Sequence, residues 1–311
     1  MVLKIMTLPL LQHDTVQGLK APSGAARQVA SWVWPCDNPN SRHWVVCVHG
    51  LTRQARDFDV LAQALRPHAR VIGIDVAGRG HSDWLEDASA YHVGTYVADI
   101  AQLLMRWRMA QPEALIDWVG TSMGGLIGMA LAAQPAFAPR RLVLNDVGPV
   151  LEWTSLKRIA DYVGKNPSFD SEAQAVAYLA SISASFGPHT PEQWLALSRP
   201  MLRQRDGRWW LHYDPQIAWP FERMAQAASE AEARQAISAG EAAMWAMYDA
   251  IACPTLLLRG ADSDLLSRAT AQAMGQRGPR ARCVEFAGVG HAPTLVAPNQ
   301  VQAVTGFLLT P

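Results

Sequence analysis

Short runs rich in apolar and β-branched residues alternate along the chain with segments whose apolar positions recur at three- and four-residue steps. QVASWVW reads as a first strand, and HWVVCVHG as a strand that stops at Gly50. Residues 58–65, FDVLAQAL, have helical spacing. RVIGIDV reads as the next strand and runs into a turn, AGRGHSD. TYVADIAQLLMRW then has the helical period, ALIDWVG reads as a strand, MGGLIGMALAAQ as a helix and RRLVLNDVG as a strand. Strands apolar along their whole length, alternating with helices, predict a parallel sheet covered on both faces. Right-handed crossovers then gather the strand C-termini along one edge, where such sheets bind ligands.

After Pro149 the rhythm changes. SLKRIADYV, SEAQAVAYLASIS, PEQWLALSRPML and SEAEARQAI are helical, and Asp206-Gly207 reads as a hairpin turn between short β segments. The sheet pattern resumes with PTLLLRG and ARCVEFAG and ends in a helix, NQVQAVTGFLL. The expectation is a mostly parallel, doubly wound α/β core over residues 1–149 and 251–311. A helical domain, 150–250, is inserted after the sixth strand.

Composition narrows the class. The 311 residues are 50% hydrophobic, enough for a large core. The 27 basic and 27 acidic side chains cancel, so there is no electrostatic footprint for nucleic acid or an anionic membrane. No uninterrupted apolar run approaches the ~20 residues of a membrane span. The four cysteines lack the spacing of a zinc knuckle or a redox pair; Cys47 and Cys283 lie in apolar strand runs and read as buried reduced thiols. The N-terminus, MVLKIMTLPLLQHD, has no small-residue cleavage site and reads as mature sequence. These features together predict a soluble, cytoplasmic protein.

Chemistry concentrates at the predicted strand ends. Gly120-Thr121-Ser122-Met123-Gly124 fits G-x-S-x-G between a strand and a helix. A sharp turn there projects the serine from the sheet edge, and the helix N-terminus aims free N–H groups at any charge that develops. The bland alternative, a serine capping the helix, leaves the glycines unexplained. A serine nucleophile needs a base. His291, after the last strand in FAGVGHAPTL, is on the same edge. The oxyanion needs two donors, expected from the N–H groups of Met123 and Leu51. His49 and Gly50 shape the latter loop, with proton transfer by His49 a lesser alternative. Arg53 and Arg56 read first as solvated or ion-paired residues and second as contacts for an acidic substrate group.

With His49-Gly50, the DVAGRGHSD turn, the Ser122 elbow and a late His291, nearly the whole chain resembles the α/β-hydrolase superfamily. The resemblance implies that 150–250 is a cap domain and that Arg79, His81 and Ser82 are scaffold. It also places the third triad member after the strand that follows the cap, at Asp264 or Asp262, or one strand earlier at Asp146. Asp264 is favoured because it falls far enough past the strand end to turn back to the histidine, with Asp146 the alternative and Asp262 third. Asp264→Asn should then cost more than Asp146→Asn.

The function expected is a carboxylesterase-type serine hydrolase acting on a small or medium ester, with no metal or organic cofactor required. A carbon–carbon bond hydrolase of the ring-fission-product type is the alternative, and a non-catalytic ligand-binding scaffold the reading from another class. Six tryptophans of the insertion (153, 194, 209, 210, 219 and 245), with Met201, Met224, Met244 and Met247, should supply a few side chains to an apolar pocket.

Overall fold

The computed structural model describes residues 8–18, 26–225 and 229–310. Six strands precede the insertion: β1 (Leu10–Gln17), β2 (Ala26–Trp34), β3 (His43–Val48), β4 (Arg70–Ile74), β5 (Leu115–Thr121) and β6 (Leu142–Asn145). Three short ones lie within it: β7 (Ser168–Phe169), β8 (Leu202–Arg205) and β9 (Arg208–Leu211). Two follow: β10 (Thr255–Gly260) and β11 (Arg282–Phe286). The main sheet has the order β1-β2-β4-β3-β5-β6-β10-β11. Strands β1 and β2 join it antiparallel, and every pairing from β4 to β11 is parallel. The parallel strands therefore all end on one edge.

Both faces are covered, which is why these strands read as unbroken apolar runs. On one face Val46, Val48, Ile72, Ile74 and Leu144 pack with side chains of α2 (Val93–Ala110) and α3 (Met123–Ala132), after α1 (Asp59–Leu65) in the chain. On the other, Val45, Cys47, Val71, Val119 and Leu258 pack with Phe58, Leu61 and Leu65 at α1 and with Val304 and Leu308 near the C-terminus. Alternate residues of one strand thus serve opposite layers.

Between β6 and β10 lie α4 (Trp153–Ala160), α5 (Glu172–Ile182), α6 (Pro191–Ser198), α7 (Trp219–Ala225) and α8 (Glu230–Asp249). Strands β7, β9 and β8 form a small antiparallel sheet there. Asp206 and Gly207 both have positive φ, 51° and 73°, the conformation a two-residue hairpin turn requires. This segment is stitched to the turn after β4: the Asp214 N–H donates to the Gly78 carbonyl (2.7 Å), the Gly80 N–H to that of His212 (3.1 Å), and the Tyr91 hydroxyl to Asp214 Oδ2 (2.5 Å). The chain closes with α9 (Arg268–Met274) and α10 (Pro298–Leu308).

Four of the described elements carry no clear periodic signal: β1, the two-residue β7, α7 and α9. β1 is an edge strand with only Val16 buried, so it needs no apolar run. Cys47 is buried as expected, but Cys283 is exposed, on β11, the other edge strand of the sheet. The expectation of a mature N-terminus bears mainly on residues 1–7, which lie outside the described residues. Among those described, no helix is long and apolar enough to cross a membrane.

Candidate active site

Ser122 stands between the end of β5 and the start of α3 with φ 51° and ψ −116°. A side chain in that region costs on the order of 1–3 kcal/mol, and the surroundings must hold it. They do so by main chain: the Ser122 N–H donates to the Asn145 carbonyl (2.9 Å), and the Ser122 carbonyl accepts from Gly125 (2.8 Å) and Leu126 (3.1 Å). The glycines are required by close approach. A Cβ at position 120 would lie 2.2 Å from the Gly124 carbonyl oxygen, and one at 124 only 2.0 Å from that of Val48. The Ser122 side chain makes no capping bond to α3, which removes the bland reading of its hydroxyl.

That hydroxyl faces His291. Nε2 of His291 lies 2.9 Å from Ser122 Oγ, and Nδ1 lies 2.7 Å from Asp146 Oδ2. Asp146 follows β6 directly, with φ 56°, and is fully buried. Its Oδ1 accepts the Gly260 N–H (2.9 Å) and its Oδ2 also accepts the Ser263 hydroxyl (2.6 Å). An ionised carboxylate only accepts, so Nδ1 carries the imidazole proton and Nε2 turns a lone pair to the serine.

Asp264, favoured from its place in the sequence, is not in this row. Arg158 Nε donates to its Oδ2 (2.6 Å) and Arg158 Nη2 to its Oδ1 (2.9 Å), with the Ser155 hydroxyl at 3.3 Å. Burial pushes its carboxyl up, but the Arg158 hydrogen bonds and charge outweigh that and hold it below the usual carboxylate range. The physical reason for the exchange is strand order. β6 lies between β5 and β10, so a residue that turns back at its end is beside the serine strand, whereas Asp264 has run outward to α4. Asp262 touches the histidine loop through its main chain, donating its N–H to the Val289 carbonyl (2.9 Å).

The loop after β3 is held by two buried side chains. His49 Nε2 accepts the Val76 N–H (3.1 Å), so Nδ1 bears the hydrogen and donates it to the Gly50 carbonyl (2.7 Å). Burial pushes this imidazole down to about 3, so it stays neutral, and both of its ring nitrogens are engaged by main chain rather than turned to the serine. In a trans peptide the N–H points opposite to the carbonyl. Tying down the Gly50 carbonyl therefore turns the Leu51 N–H the other way. Gly50 itself lies against Ser122: a Cβ there would be 3.7 Å from the serine Cβ. Arg79, fully buried, donates to the Leu51 carbonyl (2.8 Å) and reaches Met123 Sδ (3.6 Å), bracing both residues expected to supply oxyanion donors. Met123 opens α3, and N–H groups of a first helical turn lack partners within the helix.

Three contributors were not foreseen. Ser263 supports Asp146. Asn145 donates from Nδ2 to Thr121 Oγ1 (2.9 Å) and to the Pro293 carbonyl (2.8 Å), joining the serine turn to the histidine loop. A lone amide in the apolar run RRLVLND was a usable signal. Ser185, from the inserted segment, donates to the His291 carbonyl (2.8 Å) and accepts the Gly290 N–H (2.7 Å). Nothing in its local sequence marks it.

A cleft opens on Ser122 and His291, walled by Leu51, Ile159, Leu179, Ile182, Phe186, Met201 and Leu211, with Arg53 and Arg158 at its polar margin. Of the tryptophans and methionines expected there, Met201 lines it. Arg53 and Arg56 are ion-paired, with Asp57 and Asp59. Among the described residues no cluster of His, Cys, Asp or Glu could hold a metal ion.

Residues 45–303 match the model of the alpha/beta hydrolase family. A 3-hydroxybutyrate-oligomer hydrolase from Cupriavidus necator is 46% identical over 92% of this chain and 94% of its own. The 2-(acetamidomethylene)succinate hydrolase of Mesorhizobium japonicum is 26% identical over 84% of this chain and 86% of its own. Among solved structures, an alpha/beta hydrolase from Novosphingobium aromaticivorans superposes with a TM-score of 0.78 at 33% identity, covering 96% of this chain and 98% of that one.

Proposed function

The chain belongs to the alpha/beta hydrolase family, and on that premise we propose that it cleaves the ester bonds of short hydroxy-acid oligomers through an acyl-enzyme on Ser122. The observation that carries this is the hydrogen-bonded row from Ser122 to His291 to Asp146, at 2.9 and 2.7 Å. The substrate class comes from the Cupriavidus relative, similar along nearly its whole length.

In this reading His291 Nε2 takes the Ser122 proton as Oγ attacks the ester carbonyl. The carbonyl oxygen becomes an oxyanion held by the N–H groups of Leu51 and Met123. As the intermediate collapses, the C–O bond breaks and the imidazolium gives its proton to the departing alkoxide. A water then loses a proton to the same imidazole, attacks the acyl-serine, and the acid leaves as Oγ is reprotonated. The net change is ester plus water to acid plus alcohol. Asp146 holds the tautomer and stabilises the imidazolium. The inserted segment, roughly 150–250, acts as the cap: it supplies the cleft wall opposite the serine and, through Ser185, grips the histidine loop.

The test is turnover of the 3-hydroxybutyrate dimer and of a short p-nitrophenyl ester by wild type and Ser122→Ala, with fluorophosphonate labelling. We expect stoichiometric labelling at Ser122 and a loss of at least about 10⁴-fold in kcat/KM on its replacement. A folded protein that neither labels nor hydrolyses would overturn the assignment.

A further inference from the structure

We propose that Arg158 receives the free carboxylate on the alcohol half of the ester, so that the enzyme selects anionic hydroxy-acid esters over neutral ones. This deepens the ester-hydrolase reading and depends on it.

Arg158 comes from α4 and lines the same cleft as Ser122 and His291. Its guanidinium is gripped along one edge. Asp264 takes Nε at 2.6 Å and Nη2 at 2.9 Å, and Ser155 Oγ sits 3.2 Å from Nη2. The Tyr162 phenol, which also lines the cleft, is a further hydrogen-bonding neighbour of the guanidinium, while neither Asp264 nor Ser155 uses Nη1. The side chain keeps 35% of its surface exposed, so the group is both oriented and reachable. A planar fork fixed in this way suits a second carboxylate.

Its position fits the departing half. The loop bearing Asp264 adjoins the histidine: Asp262 N–H donates to the Val289 carbonyl (2.9 Å), and Ser263 Oγ to Asp146 (2.6 Å). His291 protonates the leaving alkoxide, so the alcohol half departs on this side. In an ester of a 3-hydroxy acid the carboxylate is borne on that half, two carbons beyond the carbon that carries the ester oxygen. Arg53 is the other guanidinium of the cleft, held by Asp57 at 2.7 and 2.6 Å, but its side chain is only 9% exposed and its stem lies against Gly50. It therefore belongs to the oxyanion loop. Because Asp264 cancels the charge of Arg158, discrimination rests on directed N–H donors. A hydrogen bond to a charged group corresponds to roughly 10- to 100-fold in affinity.

The experiment compares the 3-hydroxybutyrate dimer with its methyl ester, which has the same scissile bond and no free carboxylate. Values of kcat/KM are measured for wild type, Arg158→Gln, Arg158→Lys and Arg53→Gln. Wild type should favour the free acid by about 10- to 100-fold. Arg158→Gln should bring the ratio to near unity, through KM on the free acid, and Arg158→Lys should retain part of it. Fluorophosphonate labelling reports that each variant is folded, and if the glutamine variant is not, the lysine variant decides. Equal turnover of both esters by wild type overturns the proposal. So does a ratio that survives Arg158→Gln, or one that falls only in Arg53→Gln. Turnover of neither ester by a folded wild type removes the ester-hydrolase reading as well, an outcome distinct from equal turnover.

Discussion

Asp146 Oδ2 lies 2.7 Å from His291 Nδ1, and the two residues are 145 positions apart in the chain. Asp146→Asn should therefore lower kcat by about 10³–10⁴-fold, because an amide can donate to Nδ1 and favour the wrong tautomer. Asp264→Asn, assayed on a neutral p-nitrophenyl ester, should cost less than about tenfold, since its partner is Arg158 and not the imidazole. Steady-state kinetics on both variants, with circular dichroism to show that they are folded, checks the ranking. The reverse order would restore Asp264 as the acid.

The contrast between these two aspartates marks where sequence stops being informative. Ser122 is legible because everything that defines it is local: a strand, two glycines forced by backbone contacts near 2 Å, and a helix start. The parallel core is legible because burial on both faces writes itself as apolar runs. The carboxylate that meets His291 is not local. Both aspartates follow apolar strands, and the choice depends on which strand lies next to β5 and on the positive φ of Asp146 turning its carboxylate back. Ser185 lies further beyond reach, since it meets His291 only after the inserted segment folds onto the core.

Arg79 predicts a loss in kcat at a distance from the reacting atoms. It is a fully buried cation with no carboxylate partner among the described residues, satisfied by the carbonyls of Leu51 and Ala77, the Tyr96 hydroxyl and two tyrosine rings. Arg79→Met frees the Leu51 carbonyl and the loop that presents the Leu51 N–H. We expect kcat on a p-nitrophenyl ester to fall about 10- to 100-fold with KM changed less, because the donor acts on the transition state. A purely structural role would lower the active fraction and leave kcat per labelled site unchanged, so rates are normalised to fluorophosphonate titration.

Two glycine-to-alanine changes should have opposite signs. At Gly124 the new methyl would meet the Val48 carbonyl at 2.0 Å, a backbone atom in the centre of the sheet that cannot move aside. Gly124→Ala should cost more than about 3 kcal/mol and yield little folded protein. At Gly240, within α8, nothing among the described residues lies within 4 Å of the added methyl. Gly240→Ala should stabilise by about 0.5–1 kcal/mol through helix propensity and a less flexible unfolded chain. Thermal melts of the pair check both; a neutral Gly124→Ala would mean that the serine turn tolerates a wider approach than the structure has.

Acid sensitivity supplies the last test, through His212, where the inserted segment meets the turn after β4. Burial, then the charges of His81 and Arg203, push its imidazole down to about 4, against about 6.5 in the unfolded chain. Between those values the unfolded chain takes up a proton that the folded chain refuses. The stability this group contributes is thus complete above pH 6.5 and is lost as pH falls toward 4, by up to about 1 kcal/mol per pH unit. Asp99 works with the other sign: burial raises its carboxyl to about 6 in spite of Arg27, so its contribution is present at low pH and lost as pH rises through 6. The wild-type profile mixes these with other shifted groups, His49 and Asp75 among them, and the difference between wild type and His212→Gln isolates the histidine. Urea denaturation at pH 7.5, 6, 5 and 4.5 should show the variant losing stability less steeply than wild type below pH 6.5. Parallel profiles would mean that His212 is protonated in the folded protein and that the junction of insertion and core is open to water.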